Sequence, residues 1–343
     1  MQIRHCLHSL PFRHPFTISK GTKTHQPVFV VELSHLGFTG YGEAPAISYY
    51  HITAEMMAQD LEARKQVIER FALTDPERFW HFLHHLFPSN SFLVCALDMA
   101  GWDLYGKMRR SQLRNLWQSA GPGSEVPPLT DYTIGIDTPG RMIEKMKEKP
   151  WPVYKVKVGF EGDVDVLEQL RKHTDAVFRV DANGGWTLGQ ARQKIPLLHQ
   201  LGVELVEQPL AKEDVDNMHP LFESSPIPLF ADESCVAENE VAGCVGKFHG
   251  INIKLTKCGG ITPARRMIVN ARTLGLKVML GCMNESSIGT AALAQLAPWA
   301  DYADMDGPLL LADDLAAGVT FEHGKIVYPE SGYGLGIRVG DIF

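Results

Sequence analysis

The sequence predicts an α/β protein, a (β/α)7β barrel of the TIM type with an N-terminal α+β capping domain. Two observations predict this fold. From about residue 128, short apolar and β-branched runs alternate with stretches that can each hold one helix, the pattern of a barrel of parallel strands. Before residue 48 apolar and polar positions alternate, and residues 53–118 have a helical pattern, which together indicate a small α+β unit.

Eight runs are predicted as barrel strands. They are Tyr132–Ile136, Val153–Val158, Val177–Val180, Val203–Val206, Ile227–Ala231, Ile251–Leu255, Lys277–Leu280 and Tyr302–Met305. We therefore predict the barrel over residues 121–319 and the capping domain over residues 1–120. A hairpin pattern after residue 319 predicts that residues 320–343 return to complete the capping domain. A chain of 343 residues suits one barrel and a smaller domain.

Composition excludes several classes of partner. The formal net charge is −7 and no long basic run occurs, so neither nucleic acid nor an anionic membrane is an expected partner. There is no apolar run of 18 residues and no apolar signal-peptide core near the N-terminus. The six cysteines are widely spaced, without a CxxC pair, which predicts reduced thiols and a cytoplasmic protein. The sequence leaves open whether the chain forms a homo-oligomer.

Charged side chains occur where five successive barrel strands are predicted to end. These residues are Lys157, Asp181, Glu207, Asp232 and Lys254, separated by 24, 26, 25 and 22 residues. Each step is about one βα unit. Because active sites of these barrels lie at the carboxyl ends of the strands, we expect all five side chains in one site.

Three of these residues are carboxylates on adjacent strands. Asp181, Glu207 and Asp232 would repel one another strongly in one barrel mouth unless a cation lay among them. Oxygen ligands alone favour a hard ion. We predict Mg²⁺ at this position, with Mn²⁺ as the alternative ion and simple salt bridges to lysines as the structural alternative.

The two lysines come from predicted strands two and six. These strands are diametrically opposed in a ring of eight, so Lys157 and Lys254 would face opposite sides of a substrate held between them. This arrangement suits removal of a proton from one face and its return to the other. A Mg²⁺-bound carboxylate has a more acidic α-proton, because the cation stabilises the enediolate that forms. Lys155 has the same inward parity as Lys157.

These motifs resemble the muconate-lactonizing subgroup of the enolase superfamily over nearly the whole chain. The resemblance implies that Asp181, Glu207 and Asp232 bind Mg²⁺ and that Lys157 and Lys254 are the acid/base pair. The motifs that carry it are Lys155-Val156-Lys157, Val180-Asp181-Ala182-Asn183, Val206-Glu207-Gln208-Pro209, Ala231-Asp232-Glu233-Ser234, Lys254 with Gly259-Gly260-Ile261, Gly42-Glu43-Ala44 and Leu97-Asp98-Met99-Ala100-Gly101-Trp102-Asp103.

The residues at the end of strand eight resemble one group of enzymes within this subgroup. Asp304-Met305-Asp306 resembles the Asp-x-Asp motif of dipeptide epimerases, where two carboxylates hold the free α-ammonium of a dipeptide. The resemblance implies Mg²⁺-dependent epimerisation at the α-carbon of the C-terminal residue, as for L-Ala-D/L-Glu from murein peptides. It also implies that a small dipeptide is the substrate and adds substrate contacts beside Asp304 and Asp306. These contacts are Thr133, Lys155, Cys282 and Asn284.

The Ser19–Lys23 loop departs from the best-known L-Ala-D/L-Glu epimerases, in which an arginine binds the acidic side chain of the substrate. No arginine occurs here, and Lys20 or Lys23 would have to act without a bidentate guanidinium. The preferred dipeptide therefore stays open. An o-succinylbenzoate synthase or N-acylamino acid racemase of the same subgroup is the alternative enzyme. A Schiff-base aldolase using Lys157 or Lys254, and a barrel that only binds peptide, are the alternatives of other classes.

Overall fold

The N-terminal part of the chain is a three-stranded antiparallel sheet covered by helices. The structure is a computed structural model that describes residues 1–18, 21–117 and 124–343. The strands are β1 (Gln2–Ile18), β2 (Gly21–His35) and β3 (Phe38–Pro45), in the order β1-β2-β3. The helices are α1 (Ala54–Glu69), α2 (Pro76–Leu86), α3 (Ser91–Met108) and the single turn α4 (Leu113–Leu116).

Helix α3 is the centre of this N-terminal unit. Its apolar residues are buried nearly all round, as the sequence predicts for Phe92–Ala100. It packs against β3 so closely that a Cβ at Gly42 would lie 1.9 Å from the carbonyl oxygen of Ala96. Asn90 begins the helix, and its side chain accepts a hydrogen bond from the N–H of Leu93, which satisfies one of the free donors of the first turn.

Eight parallel strands form the barrel, in sequence order around the sheet. The first and last strands meet at a parallel bridge between Thr130 and Ala303. The strands are β4 (Tyr132–Ile134), β5 (Val153–Lys157), β6 (Val177–Asp181), β7 (Val203–Glu207), β8 (Leu229–Ala231), β9 (Gly250–Ile253), β10 (Lys277–Gly281) and β11 (Tyr302–Asp304). All eight predicted strands are present, and the predicted fold class is confirmed.

The barrel helices alternate with these strands. They are α5 (Pro139–Glu148), α6 (Asp163–Arg171), α7 (Leu188–Gln200), α8 (Met218–Ser224), α9 (Leu255–Cys258), α10 (Ile261–Thr273), α11 (Ser287–Ala294) and α12 (Gly307–Leu310). Short 3₁₀ turns occur at Ser48–Tyr50, Lys212–Asn217, Glu238–Cys244 and Ala297–Trp299. None of the helices in the described residues has the length and apolarity needed to cross a membrane.

One strand boundary matters for the site. The sequence predicts Lys254 inside a strand that runs to Leu255, but β9 ends at Ile253. Lys254 is instead the residue before the single-turn helix α9, with an extended backbone. The alternation of apolar and polar residues continues past the strand to Leu255, which is itself buried at the start of α9, so this pattern alone gives no boundary there.

The C-terminal segment forms β12 (Ala316–Ala317), the hairpin β13 (Thr320–Glu322) and β14 (Lys325–Val327), and β15 (Arg338–Val339). Its end lies against the N-terminal unit. The N–H of Leu335 donates to Asp103 in α3 at 2.8 Å, and the Phe343 ring lies 5.1 Å below the Arg4 guanidinium. The boundary predicted at residue 120 lies outside the described residues, so the exact domain division stays a prediction.

Candidate active site

Strand register sets three of the predicted residues at one level of the barrel. Lys157 on β5 pairs with Asp181 on β6, and Asp181 pairs with Glu207 on β7. Each of these is the last residue of its strand. Asp232 directly follows β8. Paired residues of parallel neighbours point to the same side. The side chains of Lys157, Asp181 and Glu207 therefore enter the barrel mouth together, as the spacing predicts.

The three carboxylates form one buried cluster. One oxygen each from Asp181, Glu207 and Asp232 lie within 4.8 Å of one another. Burial, and then repulsion from Asp181, raise the pKa of Glu207 to about 7. Burial acts the same way on Asp232, but the ammonium groups of Lys254 and Lys257 outweigh it and hold the pKa of Asp232 far below its usual value. Such an all-oxygen set from three adjacent strands fits a hard divalent cation.

The two predicted acid/base lysines approach this cluster from opposite sides. The Nζ atom of Lys157 lies 2.6 Å from Asp181 Oδ2, and that of Lys254 lies 2.9 Å from Asp232 Oδ2. Their strand positions, β5 and just after β9, are four strands apart in the ring of eight. Burial would lower the pKa of Lys254, but Asp232 and Glu207 hold it well above the usual value. A cation among the carboxylates would reduce this effect.

Other residues that hold the carboxylates are absent from the predicted set. Lys257 Nζ lies 2.5 Å from Asp232 Oδ1, and Asn252 donates to Glu207 Oε1 at 2.8 Å. Gln208 accepts hydrogen bonds from the N–H groups of Asp232 and Ser234. Lys257 could have been found, because it follows Lys254 by one helical turn. Gln208 belongs to the motif Val206-Glu207-Gln208-Pro209, but no role was predicted for it, and Asn252 carries no charge and has no distinctive spacing.

The two strand-eight carboxylates have different partners. Asp304 Oδ2 lies 2.6 Å from the ammonium of Lys155. Asp306 Oδ2 accepts the backbone N–H of Thr133 at 2.5 Å, and the Cys282 Sγ lies 3.8 Å from its other oxygen. Within the described residues, no cation lies at ion-pair distance from Asp306. Burial, and then repulsion from Asp304, raise the pKa of Asp306 to about 6.

One cavity joins these groups beneath the N-terminal unit. The polar barrel residues that line it are Thr133, Lys155, Lys157, Asn183, Asp232, Glu233, Lys254, Cys282, Asn284, Asp304 and Asp306. Asp181 and Glu207 are not among the lining residues. All six predicted substrate contacts thus border one space. Their roles toward a substrate stay predictions.

The opposite wall comes from the N-terminal unit. It consists of Phe16, Ile18, Gly21, Thr22, Lys23, Ile47, Ser48, Tyr49 and Tyr50, with Met283 and Leu310 of the barrel beside it. The Lys23 ammonium donates to Gln26 Oε1 at 3.2 Å, and burial lowers the pKa of Lys23. Lys20, the other candidate for binding an acidic side chain, lies outside the described residues. This wall is chiefly apolar and aromatic.

Three carboxylates and two opposed lysines at the mouth of one barrel are the arrangement expected for the enolase superfamily. Residues 3–117 match the mandelate racemase/muconate lactonizing enzyme N-terminal domain, and residues 140–341 match the enolase C-terminal domain-like family. The chain therefore belongs to the mandelate racemase/muconate lactonizing enzyme family of the enolase superfamily.

Several relatives within this family are epimerases. The chain is 48% identical to an L-Ala-D/L-amino acid epimerase of a Maribacter species, over 97% of this chain and 98% of that protein. It is 46% identical to an L-Ala-D/L-amino acid epimerase of Flavobacterium johnsoniae, over 94% of this chain and 95% of that protein. The L-Ala-D/L-Glu epimerase of Bacillus subtilis has the same fold, with a TM-score of 0.92 at 27% identity over 98% of both chains.

Proposed function

We propose that the protein is a dipeptide epimerase that inverts the α-carbon of the C-terminal residue of a dipeptide. The observation that carries the proposal is the placement of Lys157 and Lys254 on opposite sides of one cavity. A substrate α-carbon between them exposes one face to each ammonium or amine. One lysine removes the proton, and the other delivers a proton to the opposite face, so the configuration inverts.

The metal assignment rests on the donor set. Asp181, Glu207 and Asp232 would hold Mg²⁺, with Mn²⁺ as the alternative ion, and a solved dipeptide epimerase of Enterococcus faecalis with TM-score 0.91 is a complex with Mg and L-Leu-L-Tyr. When bound, the ion supplies electrostatic stabilisation of the negative charge that develops on the terminal carboxylate as the α-proton leaves. Asn252 and Lys257 orient Glu207 and Asp232 for this role.

The amino end of the dipeptide is assigned to the strand-eight carboxylates. Asp306 is buried and hydrogen-bonded but lacks a cation partner within the described part of the chain, so an α-ammonium group supplies its missing counter-charge. An N-acyl amino acid has no such ammonium. This difference favours a dipeptide over the substrates of an N-acylamino acid racemase or an o-succinylbenzoate synthase, although a relative 34% identical over 67% of this chain is an N-acetyl-D-glutamate racemase.

The remaining alternatives fit the site less well. A Schiff-base aldolase needs one nucleophilic lysine, and it gives no task to a second lysine on the opposite side of the cavity or to the three clustered carboxylates. A peptide-binding barrel without activity would have no need for two lysines beside three carboxylates. We further propose that the protein acts in the cytoplasm, which its six free cysteines support.

A rate comparison tests the proposal. The purified protein with Mg²⁺ is assayed by polarimetry on L-Ala-L-Glu, L-Ala-L-Leu, N-acetyl-L-glutamate and N-succinyl-L-arginine. We expect inversion of at least one dipeptide with a kcat/KM about 100-fold above that for either N-acyl substrate, the size of effect that loss of one buried charge contact produces. Faster turnover of an N-acyl substrate would contradict the dipeptide assignment and favour the racemase alternative.

A further inference from the structure

The ammonium of Lys155 connects two parts of the site that have different tasks. Its Nζ atom lies 2.6 Å from Asp304 Oδ2, 2.8 Å from Glu207 Oε2 and 3.3 Å from Asp181 Oδ2. Lys155 is only 2% exposed, so water contributes little to its solvation. One buried cation is therefore shared between a carboxylate assigned to the substrate amine and two carboxylates assigned to the metal.

The neighbouring carboxylate Asp306 lacks this connection. Its two oxygens contact the N–H of Thr133 and the thiol of Cys282, and no ion pair joins Asp306 to Lys155. Asp304 and Asp306 carry the same charge, are both buried and border the same cavity. They differ in whether they contact the cation that also touches Glu207 and Asp181.

Resting on the proposed metal site and substrate, we propose that Lys155 couples the amine-binding carboxylate Asp304 to the metal site, so that Asp304 controls metal affinity as well as substrate binding. A lysine ammonium beside Glu207 and Asp181 competes with a divalent cation for the same oxygens. The attraction of Asp304 draws that ammonium toward strand eight and leaves the oxygens available. Lys155 is thus a positioning residue.

The coupling has a definite sign. Without the Asp304 charge, the Lys155 ammonium interacts with Glu207 and Asp181 alone and opposes metal binding more strongly. Conversely, a metal ion at Glu207 and Asp181 repels Lys155 toward Asp304, because coupling between two sites is reciprocal. In the metal-bound protein Asp304 is then largely neutralised by Lys155. The substrate ammonium therefore depends more on Asp306.

Metal binding by matched variants tests this proposal without an activity assay. Dissociation constants for Mn²⁺ are measured from the electron paramagnetic resonance signal of the free ion, and for Mg²⁺ by competition. Asp304→Asn should weaken binding of both ions about tenfold, within the usual range of site coupling. Asp306→Asn removes an equal charge from the same cavity but has no contact with Lys155, so it should change the constants less than about twofold.

A double-mutant cycle separates coupling from simple loss of negative charge. Lys155→Met should bind metal at least as tightly as the wild type, and Asp304→Asn added to it should have less than about a twofold effect. Lys155→Arg keeps the charge and should retain the Asp304 effect, which provides a second test if Lys155→Met does not fold. Equal weakening by Asp304→Asn and Asp306→Asn, or an Asp304 effect that persists beside Lys155→Met, would overturn the coupling. A wild-type protein without metal affinity would instead overturn the proposed metal site.

Discussion

The two walls of the cavity differ in residue composition and in how firmly their side chains are held. On the barrel wall, Lys155, Lys157, Lys254, Asp232 and Asp304 are buried charges, each held by at least one ion pair. The wall from the N-terminal unit is mainly apolar and aromatic, and its residues are half-buried or exposed. The barrel charges lie within parallel strands or directly after them, whereas the other wall comes from the β1–β2 hairpin and the turn around Ser48–Tyr50.

This difference assigns the reaction to the barrel wall and the choice of substrate to the opposite wall. Side chains fixed by strand register and ion pairs can hold reacting groups in place, which catalysis requires. Partly exposed residues at a hairpin end or in a turn can change without disturbing the barrel sheet. We therefore expect substitutions in the barrel wall to remove the reaction and substitutions in the opposite wall to alter the choice of dipeptide.

The largest effects are expected at the two lysines. Lys157→Ala and Lys254→Ala should each lower epimerisation about 1000-fold or more, because each removes one of the two proton-transfer groups. One variant should still exchange the α-proton of a single enantiomer with solvent through the remaining lysine. The exposed Lys172→Ala serves as control. Substantial epimerisation by either active-site variant would contradict the two-base mechanism.

Loss of a metal carboxylate should have the next largest effect. Asp232→Asn weakens the donor set and removes the partner of both Lys254 and Lys257, so Mn²⁺ affinity should fall about 100-fold and activity should fall with it. Titration of Mn²⁺ measures the affinity, and EDTA should inactivate the wild type reversibly. Asp216→Asn, at an exposed position, is the control. An unchanged metal titration would remove Asp232 from the ligand set.

Replacement of Asp306 should lower kcat/KM for dipeptides more than for N-acyl amino acids. Asp306→Asn should lower kcat/KM for dipeptides about 100-fold, since it removes the buried charge assigned to the α-ammonium group. Any residual turnover of N-acyl amino acids should change little, because they lack that group. Steady-state kinetics on both classes measures the difference. Equal losses on both would mean that Asp306 supports the site generally and does not recognise the amine.

The smallest effect is expected on the opposite wall. Lys23→Met should lower the preference for L-Ala-L-Glu over L-Ala-L-Leu about fivefold, because a partly exposed ammonium contributes only modestly to an ion pair. The ratio of kcat/KM for the two dipeptides measures this, and added salt should reduce the wild-type ratio in the same direction. Lys65→Met is the control. A fall in turnover of both dipeptides would place Lys23 in the reaction and break the division between the walls.

The sequence predicted the barrel wall well for a physical reason. One βα unit between charged residues is a strong signal, because it repeats four times in succession and each repeat ends at the same edge of the sheet. Lys157, Asp181 and Glu207 are the last residues of their strands, and Asp232 and Lys254 each lie one residue beyond theirs. The sequence also indicated two carboxylates on strand eight.

Contacts between side chains were harder to predict from the sequence. That Lys155 touches three carboxylates depends on rotamers and on convergence from three strands, and no spacing rule encodes it. Thr133 was predicted as a substrate contact, but the structure also shows its backbone N–H holding Asp306. Lys23 is harder still, because its place in the opposite wall depends on how the β1–β2 hairpin reaches the barrel mouth, which no spacing in the sequence encodes. Selectivity is therefore the part that the sequence leaves open.

Proton exchange with solvent tests the central claim most directly. The protein is incubated with Mg²⁺ in D₂O with L,L-dipeptides that differ in the second residue, and the α-carbons are followed by NMR and mass spectrometry. We predict incorporation of one deuterium at the second residue together with inversion there, and none at the first residue. Absence of exchange on every dipeptide, together with EDTA-sensitive exchange on N-succinyl amino acids, would contradict the dipeptide epimerase assignment while leaving the barrel and its lysines in place.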